Sequence, residues 1–124
     1  MARVRSRNTA PEVALRSFLT QRGVRYRLHR QDLPGRPDVF VPRLQLALFV
    51  NGCFWHGHDC PRGRPPASNV EFWTAKIARN VERDAAVQRA LTERGIQARV
   101  LWTCRPDEFE IVADEIGERY RSAG

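Results

Sequence analysis

Residues 38 to 50 read DVFVPRLQLALFV, two apolar runs hinged on Pro42-Arg43. Proline donates nothing to a strand ladder, so the pair predicts a turn between two strands, Asp38 to Val41 and Leu44 to Val50. Gln45 is the only polar residue in the second run. A strand that apolar is covered on both faces, which places it centrally in a sheet with helices packed on it.

The flanking sequence supplies those helices. Upstream, Leu33-Pro34-Gly35-Arg36 turns the chain into the first run. Before it, Val24, Tyr26 and Leu28 alternate with Arg25, Arg27 and His29, the pattern of a strand with one wet, basic face. Further back, Thr9-Ala10-Pro11-Glu12 is a capping box that opens a helix. Val13, Leu15, Phe18 and Leu19 give that helix an inward stripe, and Gly23 ends it.

Downstream, a Pro/Gly/Arg-rich stretch runs to a second capping box, Ser68-x-x-Glu71, opening a long helix that Gly95 stops. Gln97 to Thr103 is a further strand. Pro106 opens a last helix, with Phe109, Val112, Ile116 and Tyr120 at helical spacing. The order is α-β-β-β-α-β-α, an α/β class with a mixed central sheet flanked by helices.

The chain of 124 residues is read as a single domain, 1–124. MARVRSRNTAPE has no apolar core of a signal peptide, and the run from Leu44 is too short to span a membrane. The expectation is a soluble, cytoplasmic protein.

Charge is unevenly placed. Through Arg36 nine arginines face two acids, Glu12 and Asp32, whereas Pro37 to Gly124 holds twelve residues of each sign. The whole excess of +7 therefore sits in the first 36 residues. Every basic residue there is Arg, the side chain that forks onto phosphate, so a polyanion such as DNA is the expected partner.

Three cysteines is an odd number, which argues for a reducing compartment and against a disulfide framework. Residues 49 to 60, FVNGCFWHGHDC, hold two of them beside two histidines. Cys53 and Cys60, with Cys104 from the end of the last strand and one of His56 and His58, make a four-ligand set of the thiolate and imidazole type that zinc prefers. Four protein ligands leave no open position, so the ion would be structural. The spacing does not say which histidine binds. Asp38, opening a strand after a basic turn, can hold Mg²⁺ against a phosphate; taken alone it reads first as a turn cap. Glu12 has an even stronger plain reading as the closing, N3 carboxylate of its capping box.

GRPDVFV (35–41), FVNGCFWHGHDC (49–60), FWTAKIARNVERD (72–84) and VLWTC (100–104) together resemble the very-short-patch repair endonucleases, the Vsr family, over most of the chain from about Arg5 to Cys104. The resemblance implies a restriction-endonuclease-like, PD-(D/E)XK-type core with a zinc-stapled loop. It implies a Mg²⁺-dependent nick on the 5′ side of the thymine in a T:G mismatch, and a protein that acts as a monomer near the nucleoid.

By the same resemblance Asp38, Glu12 and His56 are catalytic, and Asp38 with the main-chain carbonyl of Val50 holds Mg²⁺. Zinc falls to Cys53, His58, Cys60 and Cys104, and Phe54 and Trp55 wedge into the base stack. Lys76 and Asn80 reach the mismatched bases. From the clustered charge, and not from the resemblance, Arg5, Arg7 and Arg36 are expected to meet phosphates. Residues 1–8 form a short arginine-rich arm and 51–68 the zinc and intercalating loop.

Two departures from the family pattern stand out. Val50-Asn51 replaces a Thr-His pair, so Asn51 can hydrogen-bond a phosphate but cannot shuttle a proton. The arm ahead of the first helix is also shorter. Two further readings stay open beside the mismatch nuclease: a zinc-stapled DNA-binding module without catalysis, and a nuclease of the same fold with another DNA target.

Overall fold

The computed structural model describes residues 10–52 and 70–123. Helix α1 spans Ala10–Gln21, strand β1 Arg27–Leu28, strand β2 Val39–Val41 and strand β3 Leu46–Asn51. Helix α2 spans Val70–Glu93, strand β4 Gln97–Trp102 and helix α3 Asp107–Ala123. The order matches the expectation.

The four strands form one sheet in the order β1-β2-β3-β4, antiparallel at the first two pairings and parallel at the third. β3 is central, as its apolar run requires. Its pairing with β4 runs from Leu46 opposite Gln97 to Asn51 opposite Trp102. The ladder continues past that end, where the Thr103 N–H donates to the Asn51 carbonyl at 3.1 Å.

Alternation along the strands divides the core. Val39, Val41, Leu46, Leu48 and Leu101 pack on one face against Leu15 and Leu19 of α1 and Phe109, Val112, Ile116 and Tyr120 of α3. Phe40 and Ala47 pack on the other face against Leu91 of α2, with Leu33, Ile96, Phe49 and Val87. Arg22 ties the first layer together. Its guanidinium donates to the Phe18 carbonyl at 2.9 Å, to Asp114 at 2.6 Å and to Glu110 at 3.1 Å. One arginine of the basic N-terminal segment is thus an internal clamp between α1 and α3. Arg30 is another that serves the fold, forked onto Asp32 and lying over the Phe40 ring.

Three expectations are corrected. The strand expected from Val24 shrinks to Arg27–Leu28: only these two residues pair with β2, and His29 ends the strand at φ 48°, in the left-handed region that side chains avoid. The run expected from Leu44 starts at Leu46. Pro42–Leu44 is instead a 3₁₀ turn closed by Gln45 at φ 50°, whose N–H donates to the Pro42 carbonyl at 3.1 Å. Finally, the inward stripe of α1 is rotated. Val13 is 46% exposed, and the buried line is Glu12, Leu15 and Leu19. A carboxylate occupies a position that the apolar spacing assigned to valine. Among the described residues no helix is long and apolar enough to cross a membrane.

Candidate active site

Asp38 sits one residue ahead of β2 and is held from three sides. Its N–H donates to the Leu48 carbonyl at 3.0 Å, and its carbonyl accepts from the His29 N–H at 3.3 Å. Its Oδ2 accepts from the Val50 N–H at 2.7 Å. The carboxylate is therefore fixed at the end of the sheet, against the last turns of β3.

α1 brings Glu12 to the same point. Glu12 is 4% exposed, and its Oε1 is buried with no hydrogen-bond partner among the described residues. Its capping-box reading alone would have left it in water, so the burial must answer to something else. His29 completes the cluster, with Nε2 3.8 Å from Glu12 Oε2, too far for a hydrogen bond, and without a hydrogen-bond partner among the described residues. Ligand atoms of Glu12, His29 and Asp38 all lie within 4.8 Å of one another.

A buried acid and a half-buried one so close disfavour a second charge. Burial pushes the Asp38 carboxyl up from 3.8 to about 7; the Val50 N–H partly offsets this, and the neighbouring Glu12 adds to it. A divalent cation would remove that penalty. Two buried ligand atoms without hydrogen-bond partners among the described residues, beside a carboxyl whose ionisation is disfavoured, fit a cation site.

Beside the cluster opens a groove of about 280 Å³, lined by Arg36, Asp38, Asn51, Arg83 and Asp84 over a floor of Phe49, Val87 and Val100. Arg36, at φ 50°, is exposed at the mouth. Asn51 is nearly buried at the end of β3, on the same wall. Lys76 and Asn80 are half-buried on α2, four residues apart and one to two turns ahead of Arg83 and Asp84. Their stripe thus leads along α2 toward the groove. Asn80 accepts a hydrogen bond from Arg83.

Cys104 follows β4 at the sheet end where β3 runs out toward residue 53, so the topology brings it beside the entry to that segment. Cys53, Phe54, Trp55, His56, His58, Cys60, Arg5 and Arg7 lie outside the described residues. The structure therefore brings together Asp38, Glu12, Val50, Asn51 and Arg36.

It also adds a residue that the sequence reading placed on a wet strand face, His29. Its left-handed backbone, a conformation in which His is enriched over other side chains, turns the ring inward. The available signal was small. His29 is one of three histidines in the chain and lies nine residues before Asp38.

The family model described as DNA mismatch endonuclease Vsr matches residues 1–62. Type II nicking enzyme V.XorIIP of Xanthomonas oryzae pv. oryzae is 50% identical over 104 residues, covering 84% of this chain and 76% of the relative. Type II nicking enzyme V.NmeAIP of Neisseria meningitidis serogroup A is 39% identical over 121 residues, 98% of this chain and 86% of its own length. DNA mismatch endonuclease Vsr of Escherichia coli K12 is 40% identical over 115 residues, 93% of this chain and 74% of that protein.

Proposed function

Since the chain belongs to the DNA mismatch endonuclease Vsr family, we propose that it nicks one strand of duplex DNA 5′ of the thymine in a T:G mismatch. That it is a DNA endonuclease follows from the family. The mismatch, the strand and the metal are the finer reading. One observation carries it: the Asp38 carboxylate, locked on the Val50 N–H at 2.7 Å, faces the buried carboxylate of Glu12 at the mouth of an arginine-bearing groove.

The donor set fits a divalent cation, with Asp38 and the main-chain carbonyl of Val50 as the residues that would hold Mg²⁺. When bound, Mg²⁺ supplies Lewis-acid stabilisation of the charge that builds on the phosphate. The chain's own residues do the rest. Arg36, at the groove mouth, pairs with a phosphate, and Asn51 hydrogen-bonds the same backbone. Arg5 and Arg7 extend that grip along the duplex. His56, a neutral imidazole on this reading, takes a proton from the attacking water.

Phe54 and Trp55 enter the base stack. Unstacking costs a few kcal/mol and is cheapest at a mismatch, so a rigid wedge selects the lesion. Cys53, His58, Cys60 and Cys104 are the residues that would hold zinc, which would stiffen the wedge, and the position of Cys104 beside the entry to residues 53–69 supports that reading. Lys76 and Asn80 read the mispaired bases from α2. On this reading the fold is restriction-endonuclease-like, the zinc loop is its insertion, and the enzyme works as a monomer on chromosomal DNA in the cytoplasm.

The test is a set of labelled duplexes carrying T:G or T:A in varied flanking sequence, with Mg²⁺ or EDTA. A single Mg²⁺-dependent nick beside the thymine is expected, abolished by His56→Ala. Equal cutting of T:A would assign a different DNA target, and no cutting of any duplex would leave a binding module. Cys104→Ala is expected to lower bound zinc and melting temperature together, read by elemental analysis and calorimetry. Full zinc content in that variant would remove Cys104 from the ligand set.

A further inference from the structure

His29 has no task in the reaction as described so far, yet the fold goes to some length to place it. Its backbone is held at φ 48°, where a non-glycine residue is strained, and the ring is carried inward to Glu12 and Asp38. There Nε2 is buried without a hydrogen-bond partner among the described residues, and so is Oε1 of Glu12, a side chain only 5% exposed. A His–Glu hydrogen bond would explain the pair, but the 3.8 Å separation is too long for one. Three unsatisfied or mutually repelling donors from three chain segments converge within 4.8 Å, near enough for small side-chain adjustments to bring them onto one ion.

We propose that His29 Nε2 is a direct ligand in a mixed nitrogen–oxygen cation site with Glu12 and Asp38, and that this site takes a first-row transition-metal dication in preference to Mg²⁺. The inference rests on the nuclease reading for the cation's purpose, and adds its chemical selectivity. Mg²⁺ is hard, favours oxygen donors and gives up its waters reluctantly. An imidazole nitrogen in the set costs Mg²⁺ part of its preferred shell and adds a donor that suits the transition metals. A site of Asp38 and a main-chain carbonyl alone would lack that bias.

The experiment uses the full chain and Mn²⁺ as probe, by electron paramagnetic resonance. Bound Mn²⁺ is expected to show spin-echo modulation from a ¹⁴N nucleus, replaced by the ¹⁵N pattern when the protein's histidines are ¹⁵N-labelled. His29→Gln, with folding checked by circular dichroism, is expected to lose the modulation. It should bind Mn²⁺ roughly 10- to 100-fold more weakly, with Mg²⁺ affinity changing far less. His56→Ala should keep the modulation.

Mn²⁺ bound to the unsubstituted protein without nitrogen modulation overturns the proposal, and so does modulation that persists in folded His29→Gln. The measurement on the unsubstituted protein stands even if the variant does not fold. T:G nicking with no nitrogen modulation would sink this inference and leave the nuclease. Modulation with no cutting of any duplex would do the reverse.

Discussion

Asp38→Asn is expected to lower nicking on the order of 10³-fold while making the metal-free protein more stable at alkaline pH. The loss follows from removing the one carboxylate that Val50 anchors at the groove. The gain follows from burial. The Asp38 carboxyl, near 3.8 when free, rises to about 7 in the fold. Between those values the folded protein holds a proton that the unfolded chain has released. Its contribution to stability is therefore present at low pH and lost as pH rises toward about 7.

Asparagine carries no charge to lose, and its carbonyl can still accept from Val50. The variant should match the unsubstituted protein below about pH 4, pull ahead as pH rises toward about 7, and exceed it at pH 8 by on the order of 2–4 kcal/mol, in urea unfolding with EDTA. Saturating Mg²⁺ should close the gap, because a cation favours the ionised form. An asparagine variant no more stable at pH 8 would mean that the carboxylate is at ease when charged, and the cation-site argument would lose its main support.

Gly35→Ala is expected to cost about 2–4 kcal/mol, lowering the melting temperature by roughly 10 °C. Two causes act together. Gly35 sits at φ +75° in the turn closed by the Arg36 N–H on the Leu33 carbonyl at 3.1 Å, where any side chain is strained. A Cβ there would also lie 2.5 Å from Val87 Cγ1 and 3.2 Å from Phe49 Cε1, inside the groove floor. Adding Val87→Ala should relieve the second cause and leave the first. The double variant should therefore be more stable than the sum of its parts by about 1 kcal/mol or more. Strict additivity would show that backbone conformation alone makes glycine necessary. Because Arg36 and Asp38 follow directly, nicking should fall further than folding does.

Legibility followed the reach of each signal. The central strand, three helices and their order were readable because an apolar run and helical spacing are local patterns that burial enforces directly. The ends of those elements were less so. Gln45 and His29 adopt left-handed backbones that no neighbouring residue announces, and each shortened a strand. Asp38, Glu12, Val50, Asn51 and Arg36 could be named beforehand through family motifs. Glu12 taken as a residue looked like a helix cap, and only its burial on the inward stripe of α1 distinguishes a site carboxylate from a capping one.

The amino-acid order by itself determined the class of fold, the basic opening segment and the family. Those depend on composition and on periodicities that survive without any knowledge of who meets whom. Tertiary structure alone decided that an imidazole 17 residues beyond Glu12 and nine before Asp38 would share a point in space with both. Convergence of α1, the end of β1 and the start of β2 is set by how two layers of helix close over one sheet. That closure is a property of the packed core, which no short stretch of sequence contains.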